Sequence, residues 1–88
     1  MKERIAIIDG LRSPIAKANG KLNDMNADTL GAIITKELVL RNDIDYKEFD
    51  EVIMGNVAQP SKAMNIARVM AIRAGFPQST PAYTVHRN

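Results

Sequence analysis

Apolar and polar positions divide the chain into short apolar runs and longer stretches with helical spacing. Arg4-Ile5-Ala6-Ile7-Ile8 is short, apolar and rich in β-branched residues, and Asp9-Gly10 closes it. A continuous apolar run of this kind predicts a strand buried on both faces. Leu11 to Asn26 carries Pro14, Gly20 and several Asn and Asp, and reads as a loop. Long ordered loops in compact domains are often functional. From Ala27 to Arg41 the pattern changes to a helix. Ala27, Leu30, Ile34 and Leu38 recur on one face, flanked by Ile33, with Lys36, Glu37 and Arg41 away from it. Asn26 is the expected N-cap, and Asp28 places a negative charge in the first turn. Gly31 falls on the buried side, where the missing Cβ lets another backbone approach closely, and Asn42-Asp43 ends the helix.

The second half repeats the alternation. Tyr46 to Asp50 predicts one helical turn, with Tyr46 and Phe49 facing inward. Glu51 to Val57 predicts a strand, and Ala58 to Ala63 a loop containing Pro60. Asn65 to Ala74 predicts a helix whose face of Ala67, Met70, Ala71 and Ala74 is small enough for tight packing. Gly75 suits the position after its last turn, and Pro77 follows as a stop. Ala82 to Val85 predicts a last strand. The order is β-α-β-α-β, with connections long enough for all strands to run parallel. The expected class is α/β. There is no internal repeat and no low-complexity segment.

Composition narrows this picture. Eighty-eight residues suit one small domain or part of a larger one, and such a chain buries only roughly 60–65% of its unfolded surface. The apolar fraction of 45% is that of a globular chain rather than a disordered one. No apolar run approaches the ~20 residues of a membrane helix, and the four apolar residues after Arg4 are too few for a signal peptide. The expected location is cytoplasmic, with no membrane insertion. A net charge of +2 with scattered basic residues gives no nucleic-acid footprint. There is no cysteine and one histidine. Disulfides, thiolate zinc sites and thiol catalysis are therefore excluded within these residues, and no metal is expected.

Several segments admit a functional and a plainer reading. Asp9-Gly10 follows an apolar run but lacks the further glycines of a dinucleotide or phosphate loop. In Leu11-Arg12-Ser13-Pro14-Ile15-Ala16-Lys17, Pro14 extends Ser13. Arg12 there either serves buried carboxylates or carbonyls or belongs to a solvated surface turn. Met54-Gly55-Asn56-Val57 ends a strand, where parallel α/β sheets bind ligands, or is a turn satisfied by its own Asn side chain. Asn65-Ile66-Ala67-Arg68 opens a helix with a cation in its first turn, against the dipole. That cation implies a specific partner, with a solvated Arg as the simpler alternative. His86, the lone imidazole, is read as structural rather than as a general base. Ala82 to Val85 leads into the polar His86-Arg87-Asn88, the kind of strand exit at which α/β enzymes place a nucleophile.

Taken in order, these segments resemble the start of a thiolase. The resemblance rests on Asp9-Gly10-Leu11-Arg12-Ser13-Pro14, Gly20-Lys21-Leu22 and Thr29-Leu30-Gly31-Ala32-Ile33-Ile34. It continues through Asp50-Glu51-Val52-Ile53-Met54-Gly55-Asn56-Val57, Asn65-Ile66-Ala67-Arg68 and Pro81-Ala82-Tyr83-Thr84-Val85-His86-Arg87-Asn88. It implies a β-α-β-α-β portion of the N-terminal half of a layered αβαβα fold, residues 1–88 forming a partial N-terminal domain. The activity implied is acyl transfer between a cysteine thioester and coenzyme A, by 3-ketoacyl-CoA thiolysis or acyl-CoA condensation. Coenzyme A and acyl-CoA are substrates; no cofactor or metal is implied. The family's nucleophilic cysteine falls immediately after the position matching Asn88, so no catalytic or cofactor-binding residue is expected here and the chain is expected to be inactive alone. The family is oligomeric, which puts Ala82, Tyr83, Thr84, Val85, His86 and Arg87 near a subunit interface. Ala16 replaces a common glycine, and His86 a common asparagine or serine. The Val85-His86-Arg87-Asn88 ending and the Leu11-Arg12-Ser13-Pro14 loop lean toward a broad-range ketoacyl-CoA thiolase of fatty-acid degradation over an acetoacetyl-CoA enzyme. A self-associating α/β module without catalysis is the alternative.

Overall fold

A computed structural model describes residues 3–22, 24–57 and 65–86. Helix α1 spans Ala27–Arg41, a single 3₁₀ turn Tyr46–Glu48, strand β1 Val52–Gly55, helix α2 Ile66–Ala74 and strand β2 Ala82–Val85. The strands form a parallel pair in which Val52 lies opposite Ala82 and Gly55 opposite Val85. This is the α/β class expected, with the helical connection that parallel strands require. Helix α2 packs against α1 and against both strands.

The small face of α2 makes that central position possible. Ile66, Ala67, Met70, Ala71 and Ala74 are all buried. Val39 of α1, Ala71, Ala74 and Phe76 form one core cluster, with Tyr46, Phe49, Val52 and Ala82 packed against it. Phe76 meets the Tyr46 ring edge-on at 4.8 Å and the Phe49 ring at 5.2 Å, arrangements favoured by the aromatic quadrupole. Ile66 and Met70 form a second cluster with Met54 and Val69. A Cβ at Gly31 would overlap the Met70 thioether, so the space at this glycine is taken by a side chain and not by the backbone expected there.

Helix α2 begins one residue later than expected and stops where its sequence predicts. Asn65 is the N-cap and accepts the Arg68 backbone N–H through its side chain. Gly75 adopts φ +109°, a backbone region L side chains rarely occupy. Its N–H donates to the Ala71 and Ile72 carbonyls, and the Phe76 N–H returns to Ala71. Another end-carbonyl, that of Ala74, accepts the Tyr46 hydroxyl at 2.7 Å.

Two expectations fail. The buried face of α1 is Asp28, Ala32 and Val39, not Ala27, Leu30, Ile34 and Leu38. The buried row lies roughly a third of a turn around the helix from the expected one. Apolar residues surround α1, so periodicity alone leaves the inward direction undecided. The direction is fixed by α2, which approaches where Gly31 and Ala32 leave room. Asp28 tolerates burial because Arg73 of α2 reaches it, Nη1 to Oδ2 at 3.3 Å, and also donates to the Thr29 hydroxyl at 3.1 Å. Asn26 occupies the N-cap position of α1 but makes no side-chain cap bond.

The second failure is Arg4–Ile8, which forms no strand. Ile5, Ile7 and Ile8 are 91%, 93% and 75% exposed. A cavity of about 340 Å³ is lined by Ala6 and Ile8, by Leu38 and Val39 of α1 and by Val52, Ile53 and Met54 of β1. The segment therefore borders β1 without joining its ladder. The sheet face bearing Ile53 is itself half exposed, so a strand added there would keep one face open, and part of the apolar gain that orders a strand buried on both faces is missing. Asp9 anchors the end of the segment to α1. Its carboxylate accepts the Asn42 amide at 2.8 Å and pairs with Arg41 Nε at 2.9 Å. The Asn42 bond first, then the Gly10 N–H and Arg41, hold its pKa below the ordinary 3.8.

Candidate functional site

The segment from Leu11 to Asn26, Asn23 excepted, forms turns and irregular backbone, as expected. Arg12 there is exposed, and its guanidinium donates at 3.1 Å to the adjoining Ser13 carbonyl. That is the surface-turn alternative.

The polar groups collect at α2 and the C-terminal ends of the strands. Asn56 follows β1, and its backbone N–H donates to the Val85 carbonyl at 3.0 Å. Its side-chain Nδ2 is buried with no acceptor among the described residues. The turn at Gly55-Asn56 is therefore not closed by its own side-chain amide.

Arg68 has the specific partner that its place implies, and that partner is backbone rather than a carboxylate. Its guanidinium donates to the Gln78 carbonyl at 2.8 Å and the Thr80 carbonyl at 3.0 Å. A charged donor on backbone carbonyls is a strong hydrogen bond. It offsets the unfavourable place of the cation in the first turn of α2. Thr80, buried at 6% exposure, is thereby fixed just before β2.

Thr84, expected only within a subunit-interface segment, is also the link between β2 and α2. Its hydroxyl donates to Asn65 Oδ1 at 2.7 Å and accepts the Ala67 N–H at 3.1 Å. One orphan donor of the first turn of α2 is thus satisfied from a neighbouring strand. Asn65 Nδ2 donates to the Ala82 carbonyl at 3.2 Å. The Pro81 and Val85 carbonyls accept from β1, so strand alternation turns those of Ala82 and Thr84 to the open edge. Asn65 covers the first of these. A polar residue in a strand with its side chain toward a helix N-terminus was the available signal.

Tyr83 and Val85 lie on the face away from α2, 44% and 40% exposed, beside Ile53 at 50%. His86 is exposed at the exit of β2. Arg87, grouped with Ala82 to His86 as interface, lies outside the described residues. Among the described residues no group of three His, Asp or Glu gathers as a metal site, and no helix is long and apolar enough to cross a membrane.

The family profile described as "Thiolase, N-terminal domain" matches residues 5–88. The chain belongs to the thiolase family. It is 40% identical over 85 residues to a 3-ketoacyl-CoA thiolase of Shewanella pealeana, covering 97% of this chain and 20% of that protein. To a probable acetyl-CoA acyltransferase of Staphylococcus epidermidis it is 37% identical over 84 residues, covering 96% and 21%. Among solved structures, the acetyl-CoA acetyltransferase of Bacillus anthracis superposes with a TM-score of 0.79 at 36% identity, over 85% of this chain and 19% of that one. A thiolase of Ascaris suum, solved in complex with coenzyme A, gives 0.80 at 32% identity, over 85% and 20%. This thiolase-family chain spans about a fifth of the length of the relatives it matches.

Proposed function

We propose that the chain supplies a partial N-terminal domain of an acyl-CoA C-acyltransferase, which moves acyl groups between a cysteine thioester and coenzyme A. The observation that carries this is the match over residues 5–88, together with a strand β2 whose entry and middle are fixed to α2 by Arg68, Asn65 and Thr84. The reaction is 3-ketoacyl-CoA cleavage by coenzyme A or the reverse condensation, and the degradative direction is favoured by the ketoacyl-CoA thiolase relatives. A thiolate is the nucleophile such chemistry requires. This chain has no cysteine, so its own part is scaffold: it positions the backbone that leads to the reactive sulfur.

The test is a chimera. Residues 5–88 replace the matching segment of the Staphylococcus epidermidis relative. Loss of acetoacetyl-CoA absorbance on adding coenzyme A is the expected result. A folded, soluble chimera without acyl transfer contradicts the proposal.

A second reading, self-association without catalysis, draws on the exposed face of Ile53, Tyr83 and Val85 and on the partly open edge of β2. Exposed apolar patches and open strand edges both favour association. The surface it uses overlaps the one the first reading needs, since Ala82 to Arg87 is also the segment expected at a subunit interface.

A further inference from the structure

The four consecutive residues Asn65 to Arg68 hold β2 and its approach at three places. Arg68 takes the Gln78 and Thr80 carbonyls, Asn65 takes the Ala82 carbonyl, and Asn65 with the Ala67 N–H takes the Thr84 hydroxyl. Packing does not do this by itself. The side chains that β2 turns toward α2 are Ala82 and Thr84, both small, while Tyr83 and Val85 face outward. Sliding β2 by two residues keeps the same faces and, although it moves Ala82 off the core cluster, takes no large apolar side chain out of the contact with α2. The same slide separates a directional hydroxyl and amide from their partners.

We infer that Asn65, Arg68 and Thr84 form a polar clamp that sets the register and direction in which β2 releases the chain toward whatever follows it. Its catalytic meaning rests on the proposed function. There the three are positioning residues for the nucleophile-bearing segment, acting through the backbone and touching no substrate. Thr84 is the decisive member, because its side chain is the last on β2 that faces α2.

Two amides report the clamp in the chain itself. The Ala67 N–H is bonded to Thr84, and the Asn56 N–H to the Val85 carbonyl at the strand exit. Thr84→Val keeps the shape and removes the hydroxyl. It is expected to speed hydrogen exchange at Ala67 and Asn56 by roughly fivefold. Phe76, bonded to Ala71 at the far end of α2, is expected to exchange at its parent rate. Thr84→Ser is expected to restore the slow exchange. Should Thr84→Val fail to fold, Asn65→Ala, which removes the other side of the clamp, is expected to give the same selective pattern. Unchanged Ala67 and Asn56, or equal acceleration at Phe76, overturns the clamp.

In the chimera, Thr84→Val is expected to lower kcat with KM unchanged, and Thr84→Ser to restore it. Turnover equal to the parent overturns the positioning role. A folded parent chimera without activity, in a chain whose exchange pattern holds, counts against the family function and leaves the clamp standing.

Discussion

At the scale of single residues, side chains reaching backbone carbonyls decide more than charge pairs do. The Tyr46 hydroxyl on the Ala74 carbonyl ties the 3₁₀ turn to the end of α2. Tyr46→Phe keeps the ring contact with Phe76 and loses that bond, and is expected to cost about 1 kcal/mol in urea unfolding. Arg68 shows the same economy: its two carbonyl contacts need a planar fork, so a lysine keeps the charge and loses the geometry. Asp9 makes a prediction in pH. Its folded pKa lies below the ordinary 3.8, so the anchor's stabilisation is fully present above that value. It is lost as pH falls through the lower, folded value. The Asn42 side-chain amide resonance is expected to titrate with a midpoint below 3.8. Asp9→Asn should abolish the titration, and a midpoint at or above the ordinary value contradicts the anchor.

At the scale of elements, glycine positions carry the sharpest expectations. Gly75 at φ +109° is where α2 stops, and Gly75→Ala is expected to cost about 1–2 kcal/mol from backbone strain, read as a lower midpoint of unfolding. Gly31→Ala gains about 1 kcal/mol of helix propensity but collides with the fully buried Met70. Overpacking of about 1–3 kcal/mol outweighs or cancels the gain. These two elements also mark what a sequence can disclose. Helix α2 is legible in its buried face and its end, because a small apolar face and a Gly-x-Pro stop agree, whereas its Asn65 cap shows only in the structure. For α1 only the bounds were legible, since apolar residues on several sides leave its orientation to the partner that packs on it. Arg4–Ile8 reads as a strand by composition, yet strand formation is a property of the surroundings: a neighbour and two covering layers. At the candidate site, Arg68 was noticed for its conflict with the helix dipole, whereas its carbonyl partners lie ten and twelve residues away and leave no mark in the local pattern. The link through Thr84 was hidden because an alternating apolar strand absorbs one threonine without comment.

At the scale of the whole molecule, the described residues carry a two-stranded sheet covered on one face by α2. The other face presents Ile53, Tyr83 and Val85, and β2 keeps part of its edge open. Concentration-dependent association is expected in light scattering, and Tyr83→Lys should weaken it. A monomer at millimolar concentration excludes the second reading. The first reading makes the molecule a scaffold whose chemistry depends on a thiolate that these residues do not supply, and the second gives it no chemistry. The most direct measurement is coenzyme A-dependent loss of acetoacetyl-CoA absorbance with the isolated chain, at concentrations where the chimera turns over. The account predicts no turnover, because no thiolate is present in the chain. Clear turnover by the isolated chain would place a working reactive group within these residues and contradict it.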